Sequence, residues 1–220
     1  MTRTLIFISE TNMGYDALPA FKIYTLLADP NKKICTCGGI AWYVRNSLAK
    51  HIMQTCFNDS FISFRLDIAP NYVFVGVYIQ PEGARNFNVN MFAEVGAMLV
   101  DCKDKGLIPY IGRDFNSRPG DLNNLDNDDG KWKYAENVDK NTNGHGRTFF
   151  KDLCVVGNVK PINGLKFSQK TFKNDFTFLR SNGRSQIDFC LTNQIGRRNV
   201  KYFDMLSNDW HISDHRPIKL

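Results

Sequence analysis

The stretch that most constrains the fold runs from residue 72 to residue 111. Residues 72–79, YVFVGVYI, are the densest run of β-formers in the chain. From 88 to 105 the pattern changes: Val89, Phe92, Val95, Met98, Leu99 and Cys102 fall on one face at helical spacing, and Gly106 is placed to stop the helix. Residues 107–111, LIPYI, then form an apolar run stiffened by β-branched and aromatic side chains, which reads as a buried strand ending at Gly112. Two strands joined through a helix form a crossover, the connection that parallel strands require.

Beyond Gly112 the chain turns polar, with Arg113-Asp114-Phe115-Asn116-Ser117. Asp114 and Asn116 are two apart, so in extended geometry they share a face while Phe115 points into the core. A carboxylate beside a neutral amide suits a site that holds an anionic phosphate and activates a nucleophile, because a second carboxylate there would repel the substrate. The same residues, followed by Ser-Arg-Pro-Gly, equally describe a strand leaving its sheet through an Asx turn.

The rest of the chain supplies further strands. Residues 5–8 are a short apolar run that brings Ser9 and Glu10 to a strand tip, and 38–44 and 61–68 are further strand candidates. In the latter, Phe61, Ser63, Arg65 and Asp67 alternate with Ile62, Phe64, Leu66 and Ile68. Residues 121–144 are rich in Asn, Asp and Gly and read as a long surface loop. The run DNDDG at 126–130 lacks the glutamate-terminated spacing of an EF-hand, which excludes that calcium site. Residues 148–156 read as a short helix ended by Gly157. Residues 176–180 and 185–192 flank Asn182-Gly183, the strongest hairpin signal in the chain. Asp188 lies inside the second arm between Ile187 and Phe189, where an unpaired charge is costly, and Ser213-Asp214-His215 is the candidate source of its partner.

No repeat or linker interrupts the sequence, so residues 1–220 are expected to form one domain. Strands outnumber interspersed helices, which favours α/β architecture with two packed sheets and helices outside. Lys and Arg total 28 against 22 Asp and Glu, a net charge of +6 that helps a protein approach a polyanion. The six cysteines form no Cys-x-x-Cys pair and have no histidine at zinc-ligand spacing, consistent with free thiols in a reducing compartment. No apolar run reaches membrane-spanning length and no signal peptide opens the chain, so a soluble intracellular protein, nuclear or cytoplasmic, is expected.

Singly, each polar residue has an ordinary explanation: His215 as a satisfied, partly buried histidine, Tyr78 as a core or rim aromatic, Glu10 as a solvated strand end. Together, Glu10, Asp114, Asp188 and Asp214 are acids at or beside hydrophobic strands, accompanied by Asn116, Tyr78 and His215. Such oxygen donors suit a hard divalent ion, and Mg²⁺ takes only one or two protein carboxylates along with water and substrate phosphate. His51, His145 and His211 have no such company and read as structural or exposed.

The segments ISET at 8–11, VYIQP at 77–81, IGRDFNS at 111–117, SQIDF at 185–189 and SDHRP at 213–217 occur in an order that resembles the endonuclease/exonuclease/phosphatase superfamily. Together they span nearly the whole chain. GIAWYVRNS at 39–47, SRPGDL at 117–122 and the Phe176-Thr177-Phe178 strand make it most similar to the endonuclease domains of LINE-type (non-LTR) retrotransposons. The resemblance implies a DNase I-like, four-layered sandwich of two mixed β-sheets flanked by helices. It also implies a Mg²⁺-dependent (alternatively Mn²⁺-dependent) endonuclease that nicks DNA, with a reverse transcriptase domain downstream in a longer polyprotein. By the same resemblance, Glu10 is the principal metal ligand and Asp214 assists it. Asp114 positions or deprotonates the attacking water, and Asn116 holds a phosphate oxygen. His215, oriented by Asp188, stabilises phosphoryl charge or exchanges protons, with Tyr78 donating to the same phosphate and Thr177 and Ser213 supporting the site through hydrogen bonds. Either Asp114 or His215 is the general base. The alternatives are a phosphodiesterase or phosphatase of the same superfamily acting on a phosphorylated small molecule or lipid, and a non-catalytic remnant.

Two departures from the family pattern stand out. Nothing upstream supplies the usual first strand with its asparagine, so the domain reads as truncated at its N-terminus, and Arg113 stands where a glycine usually precedes the aspartate. The expected consequence is a poor nuclease, with Arg113 paired to Asp114 and occupying the oxygen needed for water.

Overall fold

The computed structural model describes residues 5–9, 21–26, 40–57, 61–84, 88–124, 132–134, 137–167, 170–171, 174–205 and 214–219. The first half of the chain forms β1 (Leu5–Ser9), β2 (Phe21–Leu26), β3 (Ile40–Arg45), α1 (Asn46–Ala49), β4 (Ile52–Phe57), β5 (Phe61–Leu66), β6 (Ala69–Tyr78), α2 (Met91–Asp104) and β7 (Ile108–Asp114). After a 3₁₀ turn at Gly120–Asn124 come β8 (Trp132–Tyr134) and α3 (Gly144–Thr148), which runs on as a π-helix over Phe149–Val156. The chain then forms β9 (Lys160–Pro161), β10 (Leu165–Phe167), β11 (Lys170–Thr171), β12 (Phe178–Arg180), β13 (Gly183–Ser185), β14 (Asp188–Thr192), α4 (Gln194–Asn199), β15 (Asp204–Met205) and β16 (Ile218–Lys219).

The expected crossover sits at the centre. Strands β6 and β7 pair in parallel from Tyr72↔Ile108 to Tyr78↔Asp114, with α2 between them. They lie inside a six-stranded mixed sheet of order β4-β5-β6-β7-β14-β9, whose other pairings are antiparallel. A second sheet, β1-β3-β2, is antiparallel. The two faces of the large sheet bury different layers. On one, Val73, Val75, Val77, Ile111, Phe115 and Phe189 pack against Phe92, Val95 and Leu99 of α2 and Phe149 and Leu153 of the π-helix. On the other, Ile62, Phe64 and Leu66 of β5 and Tyr78 of β6 meet Ile40, Trp42 and Val44 of β3. The Trp42 ring stands edge-on to Phe64 with centroids 5.2 Å apart, a contact that favours one arrangement of the sheets beyond the area it buries. The chain is thus an α/β sandwich with helices flanking its large mixed sheet.

Several elements differ from the sequence reading for local reasons. Strand β7 does not stop at Gly112 but runs to Asp114, because β14 pairs with it along its outer half, Gly112 opposite Cys190 and Asp114 opposite Asp188. Helix α2 begins at Met91, leaving Val89 76% exposed. Asn88 Oδ1 accepts the Asn90 N–H at 2.9 Å, a side-chain turn that competes with helix in that stretch. Strand β5 ends at Leu66, and Asp67 and Ile68 turn directly into β6. Strands β2 and β4 fall where the sequence reading places none; β4 is the edge of the large sheet, and IMQTCF mixes polar and apolar residues without a clear period.

The hairpin turn is Ser181-Asn182, since Arg180 pairs with Gly183. Its second arm ends at Ser185, and Asp188 opens a separate strand that joins the main sheet. The expected surface loop at 121–144 is also not all surface: Asn137 and Asp139 are buried, for reasons that lie in the site. No helix among the described residues is long and apolar enough to cross a membrane.

Candidate active site

Tyr78, Asp114 and Asp188 lie side by side on three adjacent strands, because Asp114 is the register partner of both Tyr78 on β6 and Asp188 on β14. Adjacent partners in register project to the same face of a sheet. Two of the three close parallel strands and the third opens an antiparallel one, so the row forms one edge of the sheet. Both carboxylates are fully buried and Tyr78 is 8% exposed. At such depth a carboxylate persists only with hydrogen-bonding or charged partners.

Those partners are specific. Asp114 Oδ1 accepts the Asn116 backbone N–H at 2.9 Å and Oδ2 accepts the Asn116 amide at 3.2 Å. The Asn116 amide also donates to the Ile79 carbonyl at 2.8 Å, and the residue has φ +45°, a conformation Asn tolerates better than most residues. The Asx turn and the site are therefore the same object: the turn that ends β7 aims the carboxylate. Both hydrogens of the Asn116 amide are engaged here, one on the Ile79 carbonyl and one on the Asp114 carboxylate.

His215 Nδ1 lies 2.9 and 3.0 Å from the two oxygens of Asp188, and the ring is 7% exposed. With Nδ1 facing a carboxylate, the Nδ1–H tautomer follows from the hydrogen bond and Nε2 occupies the opposite edge of the ring. The break between β13 and β14 lets this happen. Thr177 Oγ1, fully buried, accepts the N–H groups of both Ile187 and Asp188 at 3.0 Å. The Thr177 carbonyl accepts the Arg216 N–H at 2.7 Å, and the Asp214 carbonyl accepts the Leu179 N–H at 2.9 Å. One short segment, 177–179, thus holds Asp188 from one side and the His215 segment from the other. Asp214 is half-exposed, and its carboxylate accepts from Arg180 Nε at 2.6 Å. Glu10 and Ser213 lie outside the described residues, Glu10 directly following β1 in the chain.

Arg113 does not pair with Asp114. Its Nε lies 3.7 Å from Asp188 Oδ1 and its Nη2 donates to the Arg216 carbonyl at 3.1 Å. The Asp114 carboxylate instead takes up the Asn116 amide, which arrives from its own turn.

A second network, missed in the sequence reading, ties the site together from beneath. Asp139, 2% exposed, accepts Nε and Nη2 of Arg118 at 2.9 Å each, the Asn141 N–H at 3.1 Å and the Gln186 N–H at 3.0 Å. Burial alone would raise its pKa, but the Arg118 hydrogen bonds, the two backbone donors and the Arg118 charge together hold Asp139 below the ordinary carboxylate value. One carboxylate therefore joins the turn after Asn116 to the residues just before Asp188. Asn143 extends the same link, accepting the N–H groups of Arg118 at 3.0 Å and Gly146 at 2.7 Å, the latter capping α3. Asn163 pins β14 from its far side, donating to the Asp188 carbonyl and accepting from the Cys190 N–H, both at 3.0 Å. The available signal was the spacing Asn137, Asp139, Asn141, Asn143, polar at every second position.

His145 is buried against the edge of Phe92, and burial lowers its pKa despite the Glu82 charge and a bond to the Asn116 backbone. It is a neutral packing histidine. Burial pushes the thiol of Cys102 up to about 11 and those of Cys154 and Cys190 to about 12, so none is a nucleophile at neutral pH.

No family model matches the sequence, and no curated protein matches it. Among solved structures, the chain is similar to the catalytic domain of APE2 from Xenopus laevis, with 14% identity, a TM-score of 0.65 and coverage of 97% of this chain and 81% of that one. It is similar to the 3′ phosphatase NExo from Neisseria, solved with a product DNA hairpin, at 14% identity and TM-score 0.64, over 97% and 86% of the two chains. The endonuclease domain of TRAS1, a telomere-specific non-LTR retrotransposon, matches at 11% identity and TM-score 0.50, over 89% and 76%. At such identities the likeness is one of fold.

Proposed function

With the endonuclease/exonuclease/phosphatase superfamily fold as premise, we propose that the chain is a divalent-metal-dependent endonuclease hydrolysing DNA phosphodiester bonds, of the kind that nicks target DNA for a non-LTR retrotransposon. The observation that carries this reading is the buried row of Tyr78, Asp114 and Asp188 at one sheet edge, with His215 seated on Asp188. Carboxylate oxygens at strand ends are the donor type a hard cation prefers, and the buried thiols offer nothing to a softer one. Among the described residues no group of three or more His, Cys, Asp and Glu side chains is gathered to hold a metal. By the motif resemblance at 8–11 and 213–217, we assign the ion to Glu10, with Asp214 assisting. Mg²⁺, or Mn²⁺ in its place, supplies charge against the phosphoryl oxygens when bound.

The chain's own residues do the rest. Asp114, aimed by Asn116, orients the attacking water and accepts its proton. Tyr78 stands beside it to donate to a phosphoryl oxygen. His215, fixed through Nδ1 on Asp188, presents Nε2 to the phosphate; protonated there as the imidazolium, it gives that proton to the leaving 3′ oxygen as the phosphorus–oxygen bond breaks, while Asp114 keeps the proton taken from water. The products are a 3′-hydroxyl, suited to priming reverse transcription, and a 5′-phosphate.

The test is nicking of supercoiled plasmid by the full chain. Nicking is expected with Mg²⁺ or Mn²⁺ and is expected to stop with EDTA, and His215→Ala should reduce turnover by about 10²–10⁴-fold with DNA binding nearly unchanged. A chain that binds DNA but does not cut it with either metal is a binding protein instead. Cleavage of a phosphoinositide in preference to DNA would overturn the substrate.

A further inference from the structure

We propose that Arg113 is a positioning residue for the Asp188–His215 pair, acting on both partners at once. The inference rests on the catalytic reading above, but its structural content does not. Asp188 is fully buried, and a neutral imidazole gives it one proton to accept while leaving its negative charge without a counterion. Arg113 supplies that counterion. Its Nε sits 3.7 Å from Asp188 Oδ1, too far for a hydrogen bond yet close enough for Coulomb attraction in a buried setting. The side chain is 13% exposed, and a guanidinium stays charged under all working conditions.

The other end of the guanidinium acts on the second partner. Nη2 donates to the carbonyl of Arg216 at 3.1 Å, the residue immediately after His215. Arg216 is itself anchored, its N–H on the Thr177 carbonyl and its guanidinium on the Asp175 carboxylate and the Phe176 carbonyl. Arg113 therefore ties β7 to the backbone that carries the imidazole, while its charge faces the carboxylate that orients the ring. A glycine here could do neither. The planar fork matters: a lysine ammonium could serve Asp188 or the Arg216 carbonyl but is poorly shaped to serve both. Removing the arginine should loosen the His215 segment and let the imidazole leave its single orientation.

The experiment uses the full chain and three variants, Arg113→Met, which keeps length without charge, Arg113→Lys and Arg113→Gly. The first readout is independent of cleavage: nitrogen-15 NMR of the His215 ring, with amide hydrogen exchange at His215 and Arg216. Wild type should show a single Nδ1–H tautomer. Arg113→Met and Arg113→Gly should show averaged ring signals and roughly tenfold faster exchange at these two amides, as expected when one hydrogen bond holding a segment is lost. Arg113→Lys should fall between. Ring signals and exchange unchanged in Arg113→Met overturn the inference, whether or not the chain cuts DNA. Should the Met and Gly variants fail to fold, a Lys variant indistinguishable from wild type in both measurements overturns it equally. The second readout is nicking: kcat should fall about 10–100-fold in Arg113→Met, the scale of lost outer-shell partners, with KM changed less than about threefold, and Arg113→Lys should recover part of it. Nicking by Arg113→Gly faster than wild type overturns the positioning role. A wild-type chain that does not nick, but whose variants change the His215 signals as stated, leaves the inference standing and removes the nuclease reading alone.

Discussion

Asp139 shows how much of the site depends on a residue that touches no substrate. Its carboxylate gathers Arg118, Asn141 and Gln186, so that the turn after Asp114 and the residues before Asp188, already paired across β7 and β14, are joined by a third acid behind them. Asp139→Asn keeps the shape but loses the charge and one accepting oxygen. It should destabilise the fold by about 3 kcal/mol, at the lower end for breaking a buried ion pair, because the Arg118 side chain is 31% exposed and keeps contact with water. The pH dependence has a definite sign. Folding holds Asp139 below its ordinary carboxylate pKa, so its contribution is complete above about pH 4 and fades as pH falls through the depressed folded value. Urea titrations of both proteins should thus differ at pH 7 and draw closer as pH falls below about 4; a gap that stays constant with pH would show that the charge is not what matters.

Among the elements, α3 is small yet decides how the turn after β7 is seated. A Cβ added at Gly146 would lie 2.0 Å from the Arg118 carbonyl oxygen and 2.4 Å from its carbon, backbone atoms with no flexible end to move aside. Gly146→Ala should therefore push α3 away from the turn, at a cost of about 1–3 kcal/mol. It should also lower activity more than that loss of stability explains, since Arg118 leads directly back to Asn116 and Asp114. Thermal unfolding and plasmid nicking measured together check this. Gly183, with nothing within 4 Å of its added Cβ, is the control position expected to tolerate alanine.

Across the whole molecule, the contact between the two sheets sets where β1 stands against the catalytic edge. Trp42 carries much of that contact through Phe64. Trp42→Ala should cost about 3–5 kcal/mol. Because the helix-facing core on the opposite side of the large sheet is separate, Phe92 and Leu99 should remain protected when the second sheet loosens. Hydrogen exchange that rises in β3 and β5 but not in α2 is the expected pattern; equal loss of protection in α2 would mean that the two cores unfold as one.

The sequence by itself determined the parallel β6–α2–β7 unit, the mixed α/β class and the need of Asp188 for a partner. Each follows from a local pattern: β-formers, helical spacing, or an acid in an apolar strand that needs a counter-charge. It also marked Asp114 and Asn116 as a unit, since an Asx turn is written in neighbouring residues. Tertiary structure decided the rest. That Asp114 stands between Tyr78 and Asp188 depends on register across three strands separated by dozens of residues, which no local period encodes. The partner of Arg113 could not be read from adjacency either: Asp114 is its neighbour in sequence, but the turn gives that carboxylate to Asn116, and packing brings Asp188 and the Arg216 carbonyl to the guanidinium. The same holds for Asp139, whose loop looks polar and exposed until Arg118 and the Gln186 backbone close over it. Donors from distant segments turn a solvated acid into a buried one, and only the folded chain brings those donors together.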